Sequence, residues 1–186
     1  MALDYTSCRL VWQLNVTALV IDFAPLLPEQ IVTRPVSRTS PQVADDILYF
    51  GTLAHALLVA VDARTGAVLD TVQLNAHPLA TITMSPTLYA GRLFVGVASQ
   101  EEAAAGLVPG YECCSFVGNM VGVDFDRATT TLNIAWNTSM IPDAEFAQGW
   151  SGAAVWGSQP SIDEMRSQVK LATSSSPPNS NADTSY

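Results

Sequence analysis

Along this chain, apolar and polar residues alternate over short distances. Stretches with a 3.6-residue apolar period are hard to find. Runs rich in Val, Ile, Leu, Tyr and Phe recur instead, punctuated by Gly, Pro and Asp. The clearest are "RLVWQL", "DDILYFGTL", "ALLVAVD", "AVLDTVQL", "RLFVGVAS", "NMVGVDFD", "TLNIAWNT" and "SGAAVWGS". This is the pattern of an all-β protein built from short strands. The most apolar stretch, "LNVTALVIDFAPLLP", is interrupted by Asn15, Asp22 and Pro25 and is too short to span a bilayer. It reads as a buried strand followed by its turn.

The strands repeat. The stretch starting at Ser40 and the stretch starting at Ser85 both run Ser-Pro, a turn with Asp or Gly, a strand, a second strand carrying Val-Asp, a turn and a last strand. Their Ser-Pro pairs are about 45 residues apart, a length suited to one four-stranded propeller blade. A third unit opens at Ser158 in "SQPSID", and "LDYTSCRLVWQL" reads as the tail of an earlier one. The second unit is lengthened by "QEEAAAGLVPGYECC", inserted after its second strand. In each unit an Asp precedes a turn, and Trp12, Asp70 or Trp136 follows it. A tryptophan there would bury a large surface and dock one sheet on the next. The expected architecture is a partial β-propeller of about three four-stranded blades over residues 1–163. Residues 164–186 are expected to hold a last partial strand and a disordered Ser/Pro/Asn tail.

Composition narrows the function. The chain of 186 residues is 48% hydrophobic and 13% charged, with a formal net charge of -9. The acidic excess argues against nucleic acid or anionic lipid as a partner and leaves a cation site open. The N-terminus shows no basic region followed by an apolar run, so no signal peptide is visible. The sequons at Asn15 and Asn137 matter only if the chain is secreted. His55 and His77 lie far from any acidic or cysteine cluster with metal spacing and read as surface or turn residues. Phosphate loops, nucleophile elbows and zincin motifs are absent.

Cys113 and Cys114 are adjacent in a chain with only one other cysteine, Cys8. Neighbouring Cα atoms sit about 3.8 Å apart across a trans peptide, so a bond between them closes a strained ring. Such a bond removes almost no loop entropy from the unfolded chain. A flat, rigid, redox-labile sulfur surface, two free thiols and an accidental adjacency all remain open on these grounds.

Three segments in order, "ITMSPTLYAGRLFVGVASQEE", "ECCSFVGNMVGVD" and "GWSGAAVWGSQPSID", resemble the N-terminal part of the polyvinyl alcohol dehydrogenase-like quinoproteins, relatives of the PQQ-dependent alcohol dehydrogenases. The resemblance runs from about Arg38 to Thr173. It implies an eight-bladed quinoprotein alcohol dehydrogenase-like propeller with pyrroloquinoline quinone (PQQ) in its central funnel and a calcium ion beside the quinone. It further implies an alcohol substrate, an electron acceptor, and a periplasmic or secreted setting.

Carried residue by residue, the resemblance makes Cys113 and Cys114 a fused sulfur plate against one face of the quinone, and Trp156 an indole plate on the other. Thr83 and Ser99 match positions that hydrogen-bond cofactor oxygens, and Glu101 matches the metal-ligating glutamate, with Glu102 beside it. Three departures count against activity. Val117 stands where the family carries Arg, and Ser175 where it carries a metal-binding Asn. The catalytic aspartate belongs to a later blade, so no catalytic residue is assigned here. The sequence thus leaves three readings: an alcohol-oxidising propeller if completed by further blades, a non-enzymatic propeller scaffold for protein or glycan binding, and an inactive truncated product.

Overall fold

The computed structural model describes residues 1–157 and 159–176. The expected third-unit start at Ser158 and the tail beyond residue 176 lie outside the described residues. The strands in chain order are β1 (Ala2–Leu3), β2 (Leu10–Trp12), β3 (Gln42–Ala44), β4 (Ile47–Gly51), β5 (Leu57–Asp62), β6 (Val68–Gln73), β7 (Ala80–Thr81) and β8 (Thr87–Tyr89). They continue with β9 (Arg92–Ser99), β10 (Asn119–Asp126), β11 (Thr131–Ser139), β12 (Ser151–Ala154), β13 (Ser161–Asp163), β14 (Gln168–Lys170) and β15 (Ser174–Ser176). Three short α-helices interrupt them among the described residues, α1 (Val16–Phe23), α2 (Glu101–Leu107) and α3 (Asp143–Phe146), together with 3-10 turns at Pro28–Val32 and Ala54–Ala56.

Two complete blades form the centre. One is the antiparallel meander β3-β4-β5-β6, and the other is β8-β9-β10-β11, with β7 paired to the far end of β9. The hairpin β1-β2 precedes them, and β13-β14 and β12-β15 follow. The chain is therefore an all-β partial propeller, as its repeat implies. The two Ser-Pro pairs meet directly, Ser40 N donating to Ser85 Oγ at 2.8 Å.

The blades are welded by an apolar layer in which Ile47, Leu58 and Ala60 of one face Leu93, Val95, Val121 and Val123 of the other. The opposite side of the first blade, Phe50, Leu57, Val59 and Val61, packs against Trp12, Leu14, Val16 and Leu19. Burial on both faces explains why "LLVAV" in β5 is continuously apolar rather than alternating.

The repeat is also visible as a register. In each of β1-β2, β5-β6 and β10-β11, the pairing slips by one residue immediately before Trp12, Asp70 and Trp136 respectively. The bulge turns that position toward the following blade. Trp12 Nε1 donates to Ala63 O at 2.9 Å. Its ring lies flat enough on Gly66 that a Cβ there would meet two ring carbons at 2.7 Å. At Asp70 the same place is filled by an acceptor, and Leu132 N of the next blade donates to Oδ2 at 2.6 Å.

Three local expectations are corrected. The segment after Leu14 is helix rather than strand, because Asn15 caps it by accepting from Ala18 N at 3.1 Å. Ala24, extended before Pro25, ends it. An unbroken apolar run does not by itself distinguish a short buried helix from a strand. His55 does sit on a turn but is buried: its Nε2 donates to Ala24 O at 3.0 Å, leaving Nδ1 to accept from Gln30 Nε2 at 3.4 Å. Finally, the opening serines of the expected disordered tail form β15 against β12. Backbone pairing at a strand edge does not depend on the apolar side chains that composition counts.

Candidate functional site

The insertion between β9 and β10 carries most of the candidate residues. Ser99 ends β9, and Glu101 opens α2 with its side chain turned inward, 3% exposed. Its carboxylate is saturated by the chain that follows. Oε1 accepts from Tyr111 Oη and Ser115 N, both at 2.8 Å, and Oε2 accepts from Phe116 N at 2.8 Å. His77 reaches the same oxygen from the loop after β6: its Nδ1 accepts from Leu79 N, so Nε2 carries the proton, 3.1 Å from Ser115 Oγ and 3.4 Å from Glu101 Oε1. Burial alone would raise the Glu101 pKa, but hydrogen bonds from His77, Ser115, Phe116 and Tyr111 outweigh it and hold the carboxyl down at about 2. Burial and then the Glu101 carboxylate raise the Tyr111 phenol well above its ordinary value.

Between Tyr111 and Ser115 the chain presents Cys113 and Cys114, joined as a disulfide and exposed. Phe116 next to them is fully buried, its ring edge-on to His77 at 5.6 Å. From Phe116 a backbone ladder leads across to β12: Gly152 N donates to Phe116 O at 2.6 Å, and Gly118 N donates to Gly152 O at 2.7 Å. Gly118 lacks a Cβ because the Ala153 carbonyl occupies that space. On the far side, Asn75 Nδ2 donates to Val117 O and to Asn119 Oδ1, and Asn119 passes the contact on to Asn137.

Trp156 lies two residues past the end of β12. Val155 N donates to Val97 O at 3.1 Å and Gly157 N to Thr83 Oγ1 at 3.4 Å, so the residues flanking the indole are tied to β9 and to Thr83. The indole is 43% exposed. The structure thus links Thr83, Ser99, Glu101, the sulfur pair and the Trp156 segment in one hydrogen-bonded region around the end of β9. Val117, at the expected arginine position, is half-buried and pairs with Gly152. Among the described residues no group of three or more His, Cys, Asp or Glu side chains could hold a metal ion.

His77 and Tyr111 were not singled out for this site from sequence. His77 lies 38 positions from Ser115, and no spacing rule links a turn histidine to an insertion of irregular length.

No protein-family profile matches the chain. Among curated proteins, the polyvinylalcohol dehydrogenase of Sphingopyxis sp. (strain 113P3) is 33% identical over 156 residues, covering 77% of this chain and 23% of that protein. The polyvinylalcohol dehydrogenase of Pseudomonas sp is 35% identical over 127 residues, 63% of this chain and 19% of that one. The chain belongs to the polyvinyl alcohol dehydrogenase-like quinoprotein family. It spans about a quarter or less of the length of these relatives. Solved structures agree on the fold of this quinoprotein-family segment. A quinohemoprotein alcohol dehydrogenase from Pseudomonas putida HK5 superposes with a TM-score of 0.59 at 19% identity, covering 88% of this chain and 24% of that one. A europium-containing methanol dehydrogenase does so at 0.55 and 19%, covering 88% and 29%. No helix among the described residues is long and apolar enough to cross a membrane.

Proposed function

We propose that this chain forms one wall of the quinone pocket in a PQQ-dependent alcohol dehydrogenase-like propeller whose remaining blades complete the ring. The observation that carries the reading is the exposed Cys113–Cys114 disulfide, tied through Phe116 and Gly152 to the strand that leads into a half-exposed Trp156. A flat sulfur surface and an indole are the polarizable plates that a planar quinone requires, and their packing on it would exclude water. Thr83 Oγ1 already accepts from Gly157 N and so keeps its own proton free to donate to a cofactor oxygen. Ser99 Oγ, accepting weakly from Glu101 N at 3.4 Å, is similarly free. When bound, PQQ would supply the redox chemistry, hydride acceptance from a small alcohol and onward transfer of electrons to an acceptor, with these residues holding it.

An exposed disulfide and a half-exposed indole suit a planar cofactor, whereas the surroundings of Glu101 do not suit the calcium ion expected there. That carboxylate faces N–H and O–H donors, and a hard cation needs about six to eight oxygens around it. The proton-accepting aspartate of the reaction is assigned to later blades, so this region binds and orients rather than abstracts. We place the propeller-repeat part of the chain at residues 1–163, with Gln168–Lys170 and Ser174–Ser176 contributing further strand pairing.

Titrating the protein with PQQ while recording tryptophan emission tests the proposal. Saturable quenching that falls at least several-fold in Trp156→Leu is expected. Emission insensitive to PQQ, in this chain and in one extended to a full ring, favours the scaffold reading, which the apolar Val117 at an arginine position already suits.

A further inference from the structure

We infer that Glu101 is a positioning residue: the buried anchor from which the loop bearing Cys113 and Cys114 is hung, rather than a metal ligand. The geometry is that of an arch with both feet on one atom. Tyr111 Oη and Ser115 N each donate to Glu101 Oε1 at 2.8 Å, and the two cysteines lie between them in sequence. Phe116 N adds a bond to Oε2 at 2.8 Å, and Ser115 Oγ and His77 Nε2 approach Oε1 at 3.4 Å. An ionised carboxylate offers about four lone-pair directions, and protein donors take most of them here.

Three consequences follow from the donors' identity. Two are backbone N–H groups, so any residue types at 115 and 116 other than proline would serve, and the anchor depends on Glu101 itself. The donors' positive ends point at the carboxylate, an arrangement that stabilises the anion and repels a cation entering from the same side. The contact also joins three segments that are separate in sequence: the loop holding His77, the start of α2, and the sulfur-bearing turn. The exposed disulfide is thereby fixed relative to β9 without being buried. Cys113 and Cys114 themselves contribute no hydrogen bond to this anchoring network; their placement comes from the residues on either side.

The anchor stands independently of any cofactor, and only its use in presenting a plate to a quinone rests on the proposed function. Two probes on the full chain test it. The first is the rate at which a water-soluble phosphine reduces the disulfide to two thiols, the phosphine becoming its oxide, followed by mass after alkylation. The second is terbium ion, an oxygen-seeking cation whose emission is sensitised by nearby aromatic residues. Glu101→Gln puts an amide N–H against the loop's N–H donors and should accelerate reduction about tenfold or more, since hydrogen bonds to a charged acceptor are the strong ones. Terbium emission should be the same in the wild-type and substituted chains. Tyr111→Phe removes one foot of the arch at the half-buried end and should accelerate reduction several-fold while leaving the fold intact by circular dichroism. It decides the matter if Glu101→Gln does not fold.

Unchanged reduction rates in Tyr111→Phe overturn the inference, as does saturable terbium emission that Glu101→Gln abolishes. Faster reduction with PQQ quenching absent throughout would leave the anchor standing and remove the quinone reading. Normal quenching with unchanged reduction would do the reverse.

Discussion

Gly66→Ala offers the sharpest test of how the blades hold together. Gly66 has φ +79°, and a Cβ added there would sit 2.7 Å from Cδ2 and Cε3 of Trp12. Two costs separate. A non-glycine residue in the left-handed region costs about 1–2 kcal/mol. The clash then forces the indole off the turn, loosening the Nε1–H bond to Ala63 O, worth about 0.5–1.5 kcal/mol. Partial re-exposure of the indole face adds roughly another 1 kcal/mol, well under the about 1.5–3 kcal/mol of fully exposing a large apolar side chain. The expected total is about 3–4 kcal/mol.

Gly91 supplies the control, with φ +80° and nothing within 4 Å of its would-be Cβ. Gly91→Ala should therefore lose only the conformational part, about 1–2 kcal/mol. Urea unfolding with linear extrapolation reads both. The excess of Gly66→Ala over Gly91→Ala, about 2 kcal/mol, measures the indole contact, and it should vanish when Trp12→Ala is already present. Equal losses for the two alanines, or an excess that survives without Trp12, would refute the docking argument.

Two further outcomes are expected. The Glu101 carboxyl, held at about 2 in the folded chain against an ordinary value of 4.5, contributes stability that is full above that ordinary value and lost as pH falls toward 2. Urea midpoints from pH 6 to pH 2 should show this limb in the wild type and lack it in Glu101→Gln. Gln30 is fully buried, donating to Pro78 O at 2.7 Å and accepting from Leu27 N at 2.7 Å. Gln30→Leu orphans both backbone groups and the Nδ1 of His55, and should cost about 2–4 kcal/mol in the same denaturation assay.

The blade strands, their Ser-Pro spacing and the Asp-turn-Trp signature were legible because a blade buries its faces through apolar runs whose positions along the chain are fixed by the strand period. That signal survives even where Asp70 replaces a tryptophan, since the bulge before it keeps the same orientation. The sulfur pair could be picked out because adjacent cysteines are conspicuous, though residue types alone did not say whether they were bonded. Helix α1 was hidden: its apolar run fits two backbone forms, and the deciding feature is one capping amide. His55 sits on a turn, as expected, but its burial was not legible because it depends on the segment from Ala24 to Gln30 folding over it.

What sequence determined is thus the repeat, a property of local order, whereas Cys113, Cys114 and Trp156 stood out as candidate plates through the family resemblance. Tertiary structure alone decided what Glu101 does. A carboxylate exposed to water can wait for a cation, but one enclosed by His77, Tyr111 and the amides of Ser115 and Phe116 has its lone pairs already filled. Those donors come from positions as far apart as 77 and 116, brought together only when the blades close around the end of β9.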